Sequence, residues 1–145
     1  MARRRDPGEF IETFGTLKRR ISAAAAQTYA EAELGSTQAS FLRTIGHQSP
    51  ISQAELARAT DTDPTLTGRA LQSLIERGWV RRARSKEDRR EYVLDLSAPG
   101  KRALARVEKL REALIGRVVA NLDDRDLDDF DRISKKILSS LDREA

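Results

Sequence analysis

Seven basic side chains lie between Arg77 and Arg90, and the run ends in Lys86-Glu87-Asp88-Arg89-Arg90, between two stretches of strand-forming sequence. A guanidinium at the tip of a two-stranded ribbon suits one chemistry above others. It binds anions, phosphate foremost, and it fits the negative potential of a narrow DNA minor groove. Asp88 can fix the direction of Arg90 through paired N–H···O bonds. Read without its flanks, the same tip is an exposed turn with a surface ion pair of little energetic weight. Arg81, Arg84, Lys86 and Arg89 are general phosphate ligands by type, each steepening the salt dependence of any DNA complex.

A second cluster precedes this one. Thr65, Thr67, Gly68, Arg69 and Gln72 fall on the outward face of an amphipathic segment. There an arginine can take both acceptors of guanine, a threonine can meet phosphate or a thymine methyl, and Gln72 is a further base reader. Gly68 costs about 1 kcal/mol against alanine, which reads either as close approach to a DNA backbone or as tolerated drift. Ser52 and Gln53 open the preceding helix, where the hydroxyl serves as a cap or the helix start accepts a phosphate.

Composition limits the alternatives. The chain has 145 residues, 39 % hydrophobic and 34 % charged, with a net charge of +4. The average hides a basic middle and an acidic stretch, with six aspartates between Asp123 and Asp131. That acidic run reads as an exposed helix face whose first charges suit the helix dipole. Cysteine is absent and His47 is the only histidine, so disulfides, thiolate sites and histidine metal clusters are excluded. No cofactor, no metal and no catalytic residue is expected, and the chain does not read as an enzyme: it offers no nucleophile–base set and no phosphate-cradling glycine loop. No apolar run approaches the ~20 residues that span a bilayer, and the expected location is the cytoplasm. Met1-Ala2-Arg3-Arg4-Arg5 reads as a solvated start or as an arm on DNA backbone.

These side chains need elements to hold them. Asp6-Pro7-Gly8-Glu9 signals a helix start, and Phe10, Phe14, Leu17 and Ile21 continue it to about Glu33, with Gly35 as the stop. A second helix carries Phe41, Leu42 and Ile45 and ends near Gly46. Ser52 to Glu55 is a capping box for a third, burying Leu56 and Ala57. Thr60-Asp61-Thr62 is a turn, and Asp63-Pro64 opens a fourth helix that buries Leu66, Ala70, Leu71, Leu74 and Ile75. Gly78 ends it. Trp79–Arg84 and Tyr92–Leu96 read as the strands of a hairpin. Ser97 caps a long helix with an apolar stripe from Leu104 to Leu122, and Asp123 with Asp126 starts a last one bearing Leu127, Phe130, Ile133, Ile137, Leu138 and Leu141. The end helices carry more apolar stripe than one small lobe covers, which suggests a dimer with interlocked ends.

The succession Gly78-Trp79-Val80-Arg81-Arg82, then Asp88-Arg89-Arg90, then Leu94-Asp95-Leu96-Ser97 and Gly100 resembles the MarR family of bacterial transcription regulators. The wing of that family carries Asp-x-Arg between two strands and then a Leu-Thr/Ser-x-x-Gly step into a long helix. The likeness spans nearly the whole chain in element order and is motif-specific over Leu66 to Gly100. It implies a homodimer on a pseudo-palindromic operator, with the terminal helices forming the dimer. Arg90 resembles the family's minor-groove arginine, Asp88 its partner, and Arg82 the arginine at the wing base, which touches phosphate or braces the wing. Many relatives bind small aromatic or phenolic effectors between the dimer helices and the lobe. By location alone that makes Tyr29 and His47 ligand-pocket residues, although His47 also reads as a surface residue.

The expected fold is mostly α with a small β-wing. A winged helix-turn-helix lobe at 36–97 is flanked by dimerisation helices at 6–34 and 98–143, all within one domain over 1–145. The expected function is sequence-specific binding of a double-stranded DNA operator as a ligand-responsive repressor. The alternatives are an architectural DNA binder with little sequence preference, or an interaction protein acting on another regulator.

Overall fold

The computed structural model describes residues 4–143. Met1, Ala2 and Arg3 of the arginine run, and Glu144 and Ala145, lie outside the described residues. Six helices and three short strands follow one another: α1 (Pro7–Ala30), α2 (Ser36–Gln48), β1 (Ile51–Ser52), α3 (Gln53–Ala59), α4 (Pro64–Glu76), β2 (Val80–Arg84), β3 (Tyr92–Leu96), α5 (Ala98–Val118) and α6 (Asp124–Asp142). They form two compact units, one running to Leu114 and one from Ile115 onward.

The first unit holds the hydrophobic core. Phe41, Leu42 and Ile45 of α2, Leu56 of α3, Leu71 and Leu74 of α4, Leu94 of β3 and Val107 of α5 are all fully buried there. The expected strands form with the expected bounds, except that Trp79 precedes β2. They pair antiparallel, Val80 with Leu96 through Arg84 with Tyr92. The sheet has a third strand that the sequence did not announce: Ile51 and Ser52 pair with Leu94 and Val93, giving the order β1-β3-β2. Two residues are too few to show a strand period, and this strand exists only because β3 offers its free edge.

Several ends differ from expectation. Helix α1 stops at Ala30, not near Glu33. The amide of Leu34 donates to the Tyr29 carbonyl at 3.1 Å and that of Glu33 to Ala30 at 2.9 Å, with Glu33 at φ 58. That is a Schellman closure with a non-glycine residue in the left-handed position, locked by the burial of Leu34. Gly35 is therefore not the stop but the N-cap of α2, and the Gln38 side chain accepts its amide proton at 3.1 Å. Helix α2 passes through Gly46 to Gln48. Leu104 of α5 packs so closely there that an added Cβ would lie 2.4 Å from its Cδ2. At the end of α4 the same closure uses Gly78, at φ 76.

The step from β3 into α5 clasps the base of the hairpin. The Ser97 hydroxyl donates to the Gly78 carbonyl and accepts the Gly100 amide proton at 3.1 Å, while the Ser97 amide donates to the Trp79 carbonyl at 3.1 Å. A Cβ on Gly100 would sit 2.0 Å from that Trp79 oxygen, so the position admits glycine alone. The serine and glycine of the Leu-Ser-x-x-Gly step thus have a physical reason: they tie the wing root to α5.

In the second unit α6 starts at a reciprocal capping box between Asp123 and Asp126. Asp131 pairs with Lys135 at 2.8 Å, and that carboxylate raises the lysine's pKa. The six apolar side chains of α6 are all exposed, as are Phe10, Phe14, Leu17 and Ile21 of α1 in the first unit.

Candidate nucleic-acid interface

The wing tip is a folded loop, residues 85–91. Its ends meet through the Ser85 amide and the Glu91 carbonyl at 2.9 Å. The Ser85 hydroxyl accepts the amides of Glu87 and Asp88, each at 3.2 Å. Asp88 Oδ1 then accepts the Arg90 amide at 3.0 Å and Arg90 Nε at 3.1 Å, with a longer bond from Nη2 to Oδ2 at 3.4 Å. Arg90's bond to the Asp88 side chain, and then its backbone amide, hold that carboxyl below its usual pKa. The Arg90 side chain is 91 % exposed nonetheless, so its direction is set while its outer N–H groups remain open.

The strand register sorts the remaining wing cations onto two faces. Arg82 and Arg84 share a face with Tyr92, and their guanidiniums lie 4.8 Å and 4.6 Å from its ring centroid. Arg84 also donates to the Arg89 carbonyl at 2.7 Å. Arg82 thus braces against the ring and remains exposed. On the other face Arg81 makes a two-pronged pair with Asp95, both bonds 3.1 Å. Its charge is already answered, which weakens it as a phosphate ligand. Lys86 and Arg89 are exposed at the tip.

On α4, Asp63 caps the Leu66 amide at 2.9 Å and Pro64 takes the first helical position. Thr65, Arg69 and Gln72 face outward as expected. Thr67 does not: it is fully buried, and its hydroxyl donates to the Asp63 carbonyl at 2.8 Å. Leu66, expected in the core, is exposed. The buried stripe is centred on Thr67, Ala70, Leu71 and Leu74, which places Leu66 about 90° off its axis. A threonine with its hydroxyl satisfied locally packs like valine, and the polar-versus-apolar pattern misassigned both residues. Gly68 is half-buried, and a Cβ there would meet only Gln53 Nε2 at 4.0 Å, an ordinary contact. Packing within the protein does not require glycine at this position.

Ser52 is likewise committed to the fold. It is buried, and its hydroxyl accepts the Glu55 amide at 3.0 Å as the N-cap of α3, at the floor of the groove between α3 and the wing. Gln53 is half-exposed and lines an open groove of about 690 Å³ between α3, the start of α4 and the wing. That groove brings together residues from distant parts of the sequence: Gln53 and Arg58 from α3, Pro64 from α4, and Arg82, Arg90 and Tyr92 from the wing. Arg58 and Tyr92 were not anticipated. No local pattern marks them, because only the packing of the wing beside α3 makes them neighbours of Arg90.

Tyr29 and His47 do not line this groove. Tyr29 is buried in the core. His47 stands exposed at the end of α2, its Nε2 2.9 Å from Glu108 Oε1, which also receives Arg43 Nε at 3.2 Å. Burial opposes ionisation of Glu108, but the His47 hydrogen bond and the Arg43 charge outweigh it and lower its pKa. This cluster ties α2 to α5. Among the described residues no group of His, Asp or Glu has the arrangement of a metal site, and no helix is long and apolar enough to cross a membrane.

Comparison with known proteins meets the same region. Residues 34–92 match the model of the MarR family. A protein named for transcriptional regulation of the hcr operon in Thauera aromatica is 38 % identical over 69 residues, which is 48 % of this chain and 42 % of that protein. The match therefore spans less than half the length of that curated relative. Among solved structures, a MarR transcriptional regulator from Methanosarcina mazei Go1 superposes with a TM-score of 0.79 at 25 % identity, over 94 % of this chain and 99 % of that one. A MarR variant from E. coli complexed with operator DNA shares the fold, with a TM-score of 0.80 at 20 % identity over 88 % and 91 % of the two chains.

Proposed function

We propose that this chain, which belongs to the MarR family through residues 34–92, is a sequence-specific DNA-binding transcriptional regulator acting as a homodimeric repressor. Helix α4 enters the major groove with Thr65, Arg69 and Gln72 toward base edges. The wing reaches the adjacent minor groove with Arg90, and the groove lined by Arg58 and Arg82 follows the phosphates between them. The observation that carries this reading is the Asp88–Arg90 pair: an arginine oriented by a carboxylate yet almost fully exposed, on a ribbon beside a helix with an outward cation.

The exposed apolar faces of α1 and of α6 support the dimer, because side chains of that size on two helices call for a second surface. Dimerisation would set two α4 helices at the spacing of successive major grooves. A small-molecule effector that prefers another spacing of the lobes would release the DNA, to the extent of its differential affinity for the two states. Tyr29 and His47 are the residues proposed to lie nearest such a ligand.

Selection of duplexes from a random-sequence pool by the purified protein tests this reading. The expected product is a pseudo-palindrome whose half-sites lie about one helical turn apart. A chain ending at Leu122, without α6, should sediment as a monomer and select nothing. A truncated chain that still sediments as a dimer removes α6 from the assembly, and an unenriched pool with the full chain removes sequence-specific reading altogether.

A further inference from the structure

We propose that Leu66 is a specificity-determining residue that seats on the C5-methyl group of a thymine in each half-site. This rests on the reading of α4 as the helix that enters the major groove. Among the described residues Leu66 is the only large hydrophobic side chain exposed between Ile21 and Ile115, at 46 %. Every other exposed one lies toward the chain ends, on α1 or from Ile115 onward. An isolated exposed leucine is ordinary on a protein surface; its surroundings make this one informative. Leu66 lies in the first turn of α4, with its backbone fixed by the Asp63 cap. Thr65 precedes it, and Arg69 follows one turn later, about 60° around the helix. Its apolar end therefore extends the surface that carries the outward arginine.

The chemistry of base edges then selects the occupant. In the major groove the edges of adenine, guanine and cytosine present hydrogen-bond donors and acceptors, and only thymine adds an apolar group. A leucine pressed on a polar edge desolvates it without pairing it, which is costly. Pressed on a methyl group it removes apolar surface from water on both sides. A helix that presents Leu66 beside Arg69 should accordingly prefer a thymine next to the guanine that the arginine reads.

The test uses the full-length protein and a duplex that it has itself selected, with each thymine replaced in turn by deoxyuridine. That exchange deletes the methyl group and keeps every pairing group. The wild-type protein should lose about fourfold in affinity for each methyl removed at one thymine position of the half-site. Leu66→Ala should bind the thymine and uracil duplexes equally at that position, and Leu66→Met should retain the preference. Alanine is a strong helix former and the side chain removed is exposed, so the fold survives the change. Equal losses in wild type and Leu66→Ala, or no loss at any thymine, overturn the inference while leaving DNA reading intact. If the wild type selects no duplex, the underlying reading fails and the inference falls with it.

Discussion

On the wing, four arginines rest on neighbours. Arg90 is turned by Asp88, Arg84 by the Arg89 carbonyl, Arg82 and Arg84 by the Tyr92 ring, and Arg81 by Asp95. On α4, Arg69 is exposed, and among the described residues no ion pair includes it. The two regions carry the same functional group under opposite constraints. A guanidinium that must reach into a narrow groove benefits from being aimed beforehand, since less side-chain freedom is then lost on binding. One that must find two acceptors on a single base needs its reach, and the rigid helix beneath supplies the placement. The wing should therefore set affinity and salt dependence, and α4 should set sequence preference.

The comparison breaks most severely at the wing root. Gly100→Ala should destabilise the fold by about 3 kcal/mol, lowering the melting temperature by roughly 10 °C, because the new methyl group meets the Trp79 carbonyl oxygen, which is held by the Ser97 amide. An unchanged melting curve would mean that the clasp does not constrain the wing. Arg90→Ala should weaken DNA binding by about 2 kcal/mol per wing on all sequences alike, and should reduce the salt slope by roughly 2 for a dimer. Arg69→Ala should cost about 1–3 kcal/mol, concentrated at one base pair of the half-site. A loss spread evenly over all sequences would reassign Arg69 to phosphate and erase the distinction between the regions.

The smallest expected effect is that of pH. The Asp88 carboxyl is held below its usual pKa by Arg90, so the contribution of that pair is complete above the ordinary carboxylate range and declines as pH falls through the lowered value. The Arg90 Nε–H resonance should consequently stay fixed from pH 8 down to about 5 and move only below about 4. Movement near neutral pH would point to a different partner.

Much of this division is legible in the residues themselves. The caps at Asp6, Ser52, Asp63 and Asp123, the stop at Gly78 and both long strands follow from local chemistry, and the structure places them there. What escapes a sequence reading is set by tertiary contact. Strand β1 exists through its pairing with β3. Thr67 and Leu66 exchange their expected places because the buried stripe of α4 is defined by what packs against it. Glu33 adopts a glycine-like backbone because Leu34 is anchored in the core. Arg58 and Tyr92 join the groove only when the wing lies beside α3. Ser52 reads as a cap or a phosphate ligand, and the structure places its hydroxyl in the cap.

The measurement that bears most directly on the central claim is equilibrium binding of the full chain to DNA from upstream of its own gene, against a scrambled duplex of equal length, at two salt concentrations. The account predicts a strong preference for one pseudo-palindromic segment that persists at the higher salt, since base contacts by α4 survive where phosphate contacts weaken. Equal binding to both duplexes, lost together as salt rises, would contradict it and leave only a basic surface that holds DNA without reading it.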